Sequence, residues 1–333
     1  MKKSKNLIII AVIIVVFLIS LLFAFKKEAR ADIIILKNGN LYLISSILGE
    51  KQLTTKGNIK LLFDQKNGKI IFGKEWKEET LESERIGGTR LWIMNNDGSN
   101  ELLIADELVV YAFFDKTGKK IFYNTRNNYD LYLVNIDGIS KVNLHTKTLT
   151  SNLSPDGNYL VYQKLNPDWQ IGQYYDQALG ITILDLKTKK EKIISHSSED
   201  FAPIFTPDGK KILFFSRSPE GLASHFIMNT DGSNRKQLTN IGEKFVSDRT
   251  IPVISEKPIW SKNGRYLIYE SDKEIWINEF DDSLDNIINA KQIAFGLNPQ
   301  WFIDGKIITV GLTNIDKASE SLIKIDLDGK IIK

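Results

Sequence analysis

The chain has 333 residues, of which 42% are hydrophobic and 10% aromatic, so it can bury a sizeable core in one large domain or two ordinary ones. It contains no cysteine, which excludes disulfide bonds, thiolate zinc sites, a cysteine nucleophile and lipid attachment through cysteine. Residues 1–31 hold six basic residues and one acidic residue; the remainder has a formal charge of −2, a composition that argues against nucleic-acid binding.

The N-terminus differs in composition from the rest of the chain. A basic segment, residues 1–6, precedes an uncharged apolar run from Leu7 to Phe25, whose 19 residues are typical of a membrane-spanning helix. Signal-peptide cores are usually shorter, roughly 7–15 residues, and here charged residues separate the run from a small-residue sequence, Ala29–Ala31, suited to cleavage. The pattern favours an uncleaved signal anchor with a linker, residues 26–31, over a cleaved and secreted form. Both interpretations place residues 32–333 outside the cytoplasm.

A short phrase recurs along the rest of the chain. "IMNNDGSN" at Ile93–Asn100 and "IMNTDGSN" at Ile227–Asn234 are near copies, and five looser copies bring the number to seven. Each consists of an apolar run, a polar turn and a second run, the pattern of a β-hairpin. Aligned on the residue after the apolar run, the copies are 40–50 residues apart, at Ser45, Asn95, Asn135, Asp185, Asn229, Asn278 and Asp326.

A second phrase lies between these copies. It is clearest as "SPDGNYLVYQ" from Ser154 and "TPDGKKILFFS" from Thr206, where a glycine follows a polar residue and precedes an alternating apolar run. Asp-Gly and Asn-Gly suit the positive φ angles of tight hairpin turns. The glycines concerned are Gly68, Gly118, Gly157, Gly209, Gly264 and Gly305.

Combined, the two phrases predict units of four strands, which we label a to d. Four strands in roughly 40–50 residues are typical of a β-propeller blade, whose sheets are apolar on both faces and stack radially into a ring. The sequence therefore predicts an all-β propeller of four-stranded antiparallel blades over residues 32–333. Seven blades are favoured, the first incomplete, because the segment from Asp32 supplies strands b, c and d but no strand a. A six-bladed ring with the N-terminal strands packed at its closure is the alternative.

The phrases "SPDGNYLVYQ", "EDFAPIFTPDGKKILFFSRS" and "FIMNTDGSNRKQLT" resemble the repeats of TolB-type propellers, relatives of the WD-repeat family. In one unit the residues that fit the family pattern are Pro203, Thr206, Pro207, Asp208, Gly209, Ser216, Asp231, Gly232, Leu238 and Thr239. The resemblance covers about residues 32–333. It implies the propeller fold and, in bacteria, an extracytoplasmic interaction module. In prolyl oligopeptidase-like and tricorn-type proteins, such propellers gate a separate hydrolase domain.

The longer connections are predicted to lie on one face of the propeller. Most a–b and c–d turns are two to four residues long, with one longer c–d turn at 281–289, whereas the b–c and d–a connections include 74–88, 165–179, 217–223, 312–320 and 240–257. Loops on a rigid scaffold often bind ligands, and exposed aromatic residues supply contact area. The candidate binding residues are therefore Trp169, Tyr174, Tyr175, Trp76, Asp200, Asp248 and Arg249. The alternatives are aromatic rings folded back over a blade edge and charged residues in ordinary ion pairs.

No catalytic or metal signature is found. The chain has no nucleophile elbow, P-loop or dinucleotide-binding glycine motif, and His145, His196 and His225 lie in different units without ligand spacing. A calcium loop of EF-hand type would need an oxygen ligand where Ile93 and Ile227 stand. The sequence predicts no catalytic residue, no metal and no cofactor.

These observations favour a binding protein over an enzyme. We expect a single-pass protein of the cell membrane whose propeller, outside the cytoplasm, binds a protein partner or an envelope component, with no nucleic-acid partner. Two alternatives remain: an envelope enzyme that acts on polysaccharide as a lyase or hydrolase, and a sensory component with a small ligand in the channel.

Overall fold

The computed structural model of the protein describes residues 32–45, 49–75, 89–126, 128–168, 178–218, 222–239, 243–244, 258–271, 274–301, 308–314 and 319–332. Every regular element in these ranges is a β-strand, which confirms the predicted all-β class. The described ranges contain no helix with the length and apolarity needed to span a membrane. The predicted basic segment 1–6, membrane helix 7–25 and linker 26–31 lie outside the described residues.

The N-terminal half forms two antiparallel sheets. The first holds β1 (Asp32–Lys37), β2 (Asn40–Ser45) and β3 (Gly49–Gln52). The second has ten strands, each hydrogen-bonded to the next along the chain: β4 (Ile59–Lys66), β5 (Lys69–Glu75), β6 (Thr89–Asn95), β7 (Leu102–Phe114), β8 (Lys120–Thr125), β9 (Asp130–Asn135), β10 (Val142–Leu153), β11 (Tyr159–Leu165), β12 (Ala178–Asp185) and β13 (Glu191–Ile193).

Three smaller sheets follow. The first contains β14 (Asp200–Phe205), β15 (Lys211–Arg217), β16 (Leu222–Asn229) and β17 (Lys236–Gln237), with β18 (Glu243–Lys244) also paired to β16. The second contains β19 (Ile259–Trp260), β20 (Tyr266–Ser271), β21 (Glu274–Phe280) and β22 (Ile287–Phe295). The third contains β23 (Leu297–Trp301), β24 (Ile308–Asn314) and β25 (Ser319–Ile325).

Four details differ from the predicted units. The long strands β7 and β10 pair with the preceding strand through their first halves and with the following strand through their second halves, so each is strand d of one unit and strand a of the next. The predicted d–a loop 240–257 contains β18, which pairs with the part of β16 that the two-residue β17 leaves open. The long c–d turn ends at 286, because β22 begins at Ile287. The last strand d is reduced to one bridge, between Ile325 and Ile331.

Apolar side chains fill the space between successive units. One such cluster joins β11 and β12 to β14, β15 and β16, and consists of Val161, Ile181, Ile194, Phe205, Ile212, Phe214 and Met228. Burying a side chain of this kind stabilises the fold by roughly 2 kcal/mol. A four-stranded sheet that is apolar on both faces cannot shield those faces from water by itself. The stability of each unit therefore depends on packing against its neighbours.

The a–b and c–d turns lie together at one end of the sheets. In five units a c–d backbone amide donates a hydrogen bond to an a–b carbonyl oxygen: Asn96 to Gly68, Ile136 to Lys119, Leu186 to Asn158, Thr230 to Lys210 and Phe280 to Arg265. We call this end the turn face. The opposite end, where strands b and c and strands d and a are connected, is the loop face.

The first unit repeats the hydrogen bonds of a later one. The amide of Leu41 in β2 donates to Thr54 Oγ1 at 2.9 Å, as that of His225 in β16 donates to Thr239 Oγ1 at 3.0 Å. By this match β2 has the position of a strand c, and β1 and β3 have the positions of strands b and d. The Ile59 amide, where strand a begins at the loop face, donates to the carbonyl of Gly39. The β1–β2 turn is therefore at the loop face, and β1 begins at the turn face.

Candidate binding face

The loop face is where the longest connections leave the sheets. The register pairs Glu75 with Thr89, Leu165 with Ala178 and Arg217 with Ala223, so these pairs fix the bases of three b–c loops. The tips of these loops lie outside the described residues, and so do Trp76, Trp169, Tyr174, Tyr175, Asp248 and Arg249. Their place on a binding surface stays a prediction.

Asp200 is the candidate residue that the structure describes. It opens β14 at the loop face and has 0% of its surface exposed. Arg235 Nη2 donates to Asp200 Oδ1 at 2.9 Å, and the hydroxyl of Ser195 donates to Oδ2. Arg235 also donates to Ser216 Oγ at 3.0 Å. Asp200 thus forms an internal ion pair, which is one of the two interpretations that the sequence left open.

Arg235 reaches Asp200 by lying across the sheet. Its guanidinium carbon is 4.2 Å from the ring centre of Phe226 and 5.4 Å from that of Phe214, distances that allow cation–π attraction. Arg235 was not among the predicted site residues. One signal in the sequence distinguishes it: the nearly identical twin phrase has an acidic residue, Glu101, at the same position.

Two buried amides support the loop face from below. Asn124 Nδ2 donates to Thr148 Oγ1 at 2.6 Å and to the Tyr129 carbonyl at 3.3 Å. Gln163 Nε2 donates to the carbonyl of Ser198 at 3.4 Å. Both residues stand six positions after the glycine of their a–b turn, but the other units have different residue types at that position, so the sequence pattern did not predict them. Since a buried amide is held by its hydrogen bonds, these residues fix the chain at the bases of the loops.

His225 occupies a core position in β16. It is 1% exposed, and its ring centre is 4.3 Å from that of Phe215 and 4.6 Å from that of Tyr269 in the next unit. Its Nε2 has no hydrogen-bond partner among the described residues. Burial lowers the pKa of the imidazole to about 3, so the ring is neutral at physiological pH.

The repeated turn phrase uses its polar groups internally. Asp97 Oδ1 accepts hydrogen bonds from the amide and hydroxyl of Ser99, and Asp231 Oδ1 accepts the same two from Ser233. These hydrogen bonds hold the pKa values of both carboxyl groups below the usual range, and the bond from the serine hydroxyl has the largest effect. No group of three metal-ligating side chains occurs in the described part of the chain. The phrase therefore builds a turn.

The comparison with family models decides the family. A model described as the TolB beta propeller domain matches residues 112–333, two thirds of the chain. The chain belongs to the TolB β-propeller domain family. The family resemblance predicted from the repeats is thereby confirmed, and with it the propeller fold.

Solved structures resemble this TolB-type propeller in fold. A puromycin-hydrolyzing peptidase from Mycobacterium tuberculosis is 10% identical with a TM-score of 0.62, over 91% of this chain and 53% of the peptidase. An oligogalacturonate lyase in complex with manganese is 14% identical with a TM-score of 0.60, over 90% and 83% of the two chains. The oligogalacturonate lyase from Vibrio parahaemolyticus is 14% identical with a TM-score of 0.58, over 90% and 84%. Similarity at these identities concerns the fold alone.

Proposed function

We propose that this TolB-type propeller is an extracytoplasmic binding module, anchored in the cell membrane by residues 7–25, that recognises a protein partner or an envelope component through its loop face. In this proposal the chain has no catalytic activity. The units are seven blades, the first of which lacks strand a.

The difference between the two faces is the main support for this proposal. On the turn face, connections are short, and c–d turns are bonded to a–b turns in five units. On the loop face, connections vary in length, and their bases rest on the buried groups of Asn124, Gln163 and Asp200. A rigid base beneath variable loops is the arrangement from which binding surfaces are built.

Removing the predicted aromatic anchors of the loop face tests the proposal. The full-length triple variant W169A/Y174A/Y175A should recover its partner from membranes at least tenfold less efficiently than the parent chain, because buried aromatic anchors contribute roughly 2 kcal/mol or more each. Recovery after chemical crosslinking, quantified by mass spectrometry at matched expression, measures the effect.

The matched control removes three exposed large side chains at the turn-face ends of hairpins. The Y159A/I139A/I288A variant alters residues that are 40%, 64% and 56% exposed. It should recover the partner as the parent chain does. Equal losses in the two variants, or a loss in the control alone, would refute binding through the loop face.

A polysaccharide lyase is the second candidate. It is favoured over a peptidase because the matched region makes up 84% and 83% of the two oligogalacturonate lyase chains but only 53% of the peptidase chain. Incubation of the full-length protein with oligogalacturonate and manganese distinguishes the candidates. Formation of unsaturated uronate product supports the lyase, and its absence at high protein concentration argues against this activity.

A further inference from the structure

The turn face has an excess of positive charge around its centre. The five a–b turns at 66–69, 115–120, 154–158, 206–211 and 261–265 contain nine basic and three acidic residues. They form a continuous surface, since a Cβ on Gly118, Gly157, Gly209 or Gly264 would contact the preceding unit's turn, at Asn67, Lys116, Pro155 and Pro207 respectively.

Several of these cations have no counterion among the residues that the structure describes. In the described part of the chain, no hydrogen bond or ion pair involves the ammonium groups of Lys119, Lys120, Lys210 and Lys262, and all four residues are exposed. The three acidic residues of these turns accept hydrogen bonds within their own turns. Unpaired lysines on a continuous surface attract anions.

The c–d turns around this surface are mixed in charge. In the fourth unit the c–d turn adds three exposed lysines, Lys187, Lys189 and Lys190. In the sixth unit the c–d turn is acidic, and Asp285 there is paired with Lys211 at 2.6 Å. The positive surface is therefore centred on the third to fifth units. We call it the lysine surface, defined by Lys119, Lys120, Lys187, Lys189, Lys190 and Lys210.

The chain enters the propeller at the same face. Strand β1 begins at Asp32 on the turn face and runs to the Gly39 turn at the loop face, where Gly39 accepts a hydrogen bond from the amide of Ile59. Only residues 26–31 separate the apolar run 7–25 from Asp32. From Phe25 to Asp32 the chain makes seven Cα–Cα steps, which span at most about 25 Å when fully extended. A membrane that contains residues 7–25 is therefore within about 25 Å of the turn face.

We propose that the turn face lies against the membrane, where the lysine surface binds the headgroups of anionic phospholipids. This inference rests on the proposed membrane anchor. It also gives the proposed binding face an orientation, because docking of the turn face directs the loop face away from the membrane.

A distance measurement in nanodiscs tests the orientation. The chain lacks cysteine, so single cysteines at Ser140 on the turn face or Asp168 on the loop face take a fluorescent label selectively. The full-length protein is placed in nanodiscs of phosphatidylcholine alone or with an equal part of phosphatidylglycerol, each with a trace of headgroup quencher. We expect quenching of the S140C label to increase with phosphatidylglycerol and to decrease when salt is raised, because salt screens charges beyond about 10 Å. The D168C label should be quenched weakly in both lipids.

Matched charge variants assign the effect to the lysine surface. K119Q/K210Q removes two positive charges from it, and K56Q/K60Q removes two from the loop-face side. Each lysine near an anionic leaflet changes the equilibrium constant for docking roughly fivefold. Only K119Q/K210Q should therefore lose most of the additional S140C quenching. The inference would be overturned if the protein enters the nanodiscs but the S140C label is quenched equally in both lipids, or if the two charge variants have equal effects. Either result would leave the proposed membrane anchor unaffected. If the full-length chain does not remain with the lipid after urea washing, both the docking of the turn face and the proposed membrane anchor are refuted.

Discussion

The G232A variant is expected to lower the free energy of unfolding by about 3 kcal/mol or more. Gly232 has a φ of +93°, a conformation that costs an L-residue roughly 1–2 kcal/mol. In addition, a Cβ at this position would lie 2.4 Å from the carbonyl oxygen of Ile194 in the preceding unit. Backbone atoms cannot move aside without separating the two units, so the steric term adds to the conformational one. Chemical denaturation of the parent and variant measures the difference.

Two equivalent glycines provide the control. Gly98 and Gly138 have φ values of +92° and +81°, but their added Cβ atoms would lie 3.1 Å and 3.6 Å from the nearest backbone oxygen. We expect G138A to cost only the conformational term, about 1–2 kcal/mol, and G98A to be intermediate. If the three variants lose equal free energy of unfolding, the close approach of the neighbouring unit is not the reason why position 232 requires glycine.

The H225L variant is expected to reduce the sensitivity of the protein to acid. The folded-state pKa of His225 is lowered to about 3 from an ordinary value of 6.5, so between these pH values the unfolded chain binds a proton that the folded chain does not. Stability therefore falls as the pH drops from 6.5, by about 1.4 kcal/mol per pH unit for this group. Leucine removes this contribution. As the pH falls from 6.5 to 5, the free energy of unfolding of the parent should therefore decrease by about 2 kcal/mol more than that of H225L.

The repeat itself suggests the leucine replacement. The equivalent positions of four other units hold Leu41, Leu91, Leu131 and Ile181, all fully buried. At pH 7, H225L should raise the free energy of unfolding by about 1 kcal/mol, because it removes an Nε2 that has no hydrogen-bond partner among the described residues. The F215L variant is the control: it weakens packing against the same ring and should shift stability equally at every pH. Parallel pH profiles for the parent and H225L would contradict the assignment.

The fold was predictable because its local signals repeat. The phrases around Gly98 and Gly232 specify the same turn, and the structure gives the two glycines φ values of +92° and +93°. Ile93 and Ile227 are buried on strands, as their apolar character predicts. Turn chemistry and apolar alternation act over a few residues, so a single sequence displays them directly.

The contacts between strands distant in sequence were less predictable. The Asp200–Arg235 pair joins residues 35 positions apart, and its partners are brought together by sheet pairing. The continuation of β7 and β10 between units and the pairing of β18 with β16 likewise depend on which strand edges remain open. These pairings are therefore determined by the tertiary arrangement of the sheets and not by local sequence. Six of the seven candidate binding residues belong to connections outside the described ranges and stay predictions.

Photo-crosslinking in intact cells, at one position on each face, tests most directly whether the loop face binds. A benzophenone amino acid replaces Tyr174 in the loop-face connection or Tyr159, which is 40% exposed next to the turn at 154–158. If the repeats build a scaffold and the loop face binds, illumination yields a discrete protein or envelope adduct at position 174 and none of that mass at position 159. An adduct of the same mass at position 159, with none at position 174, would contradict binding through the loop face.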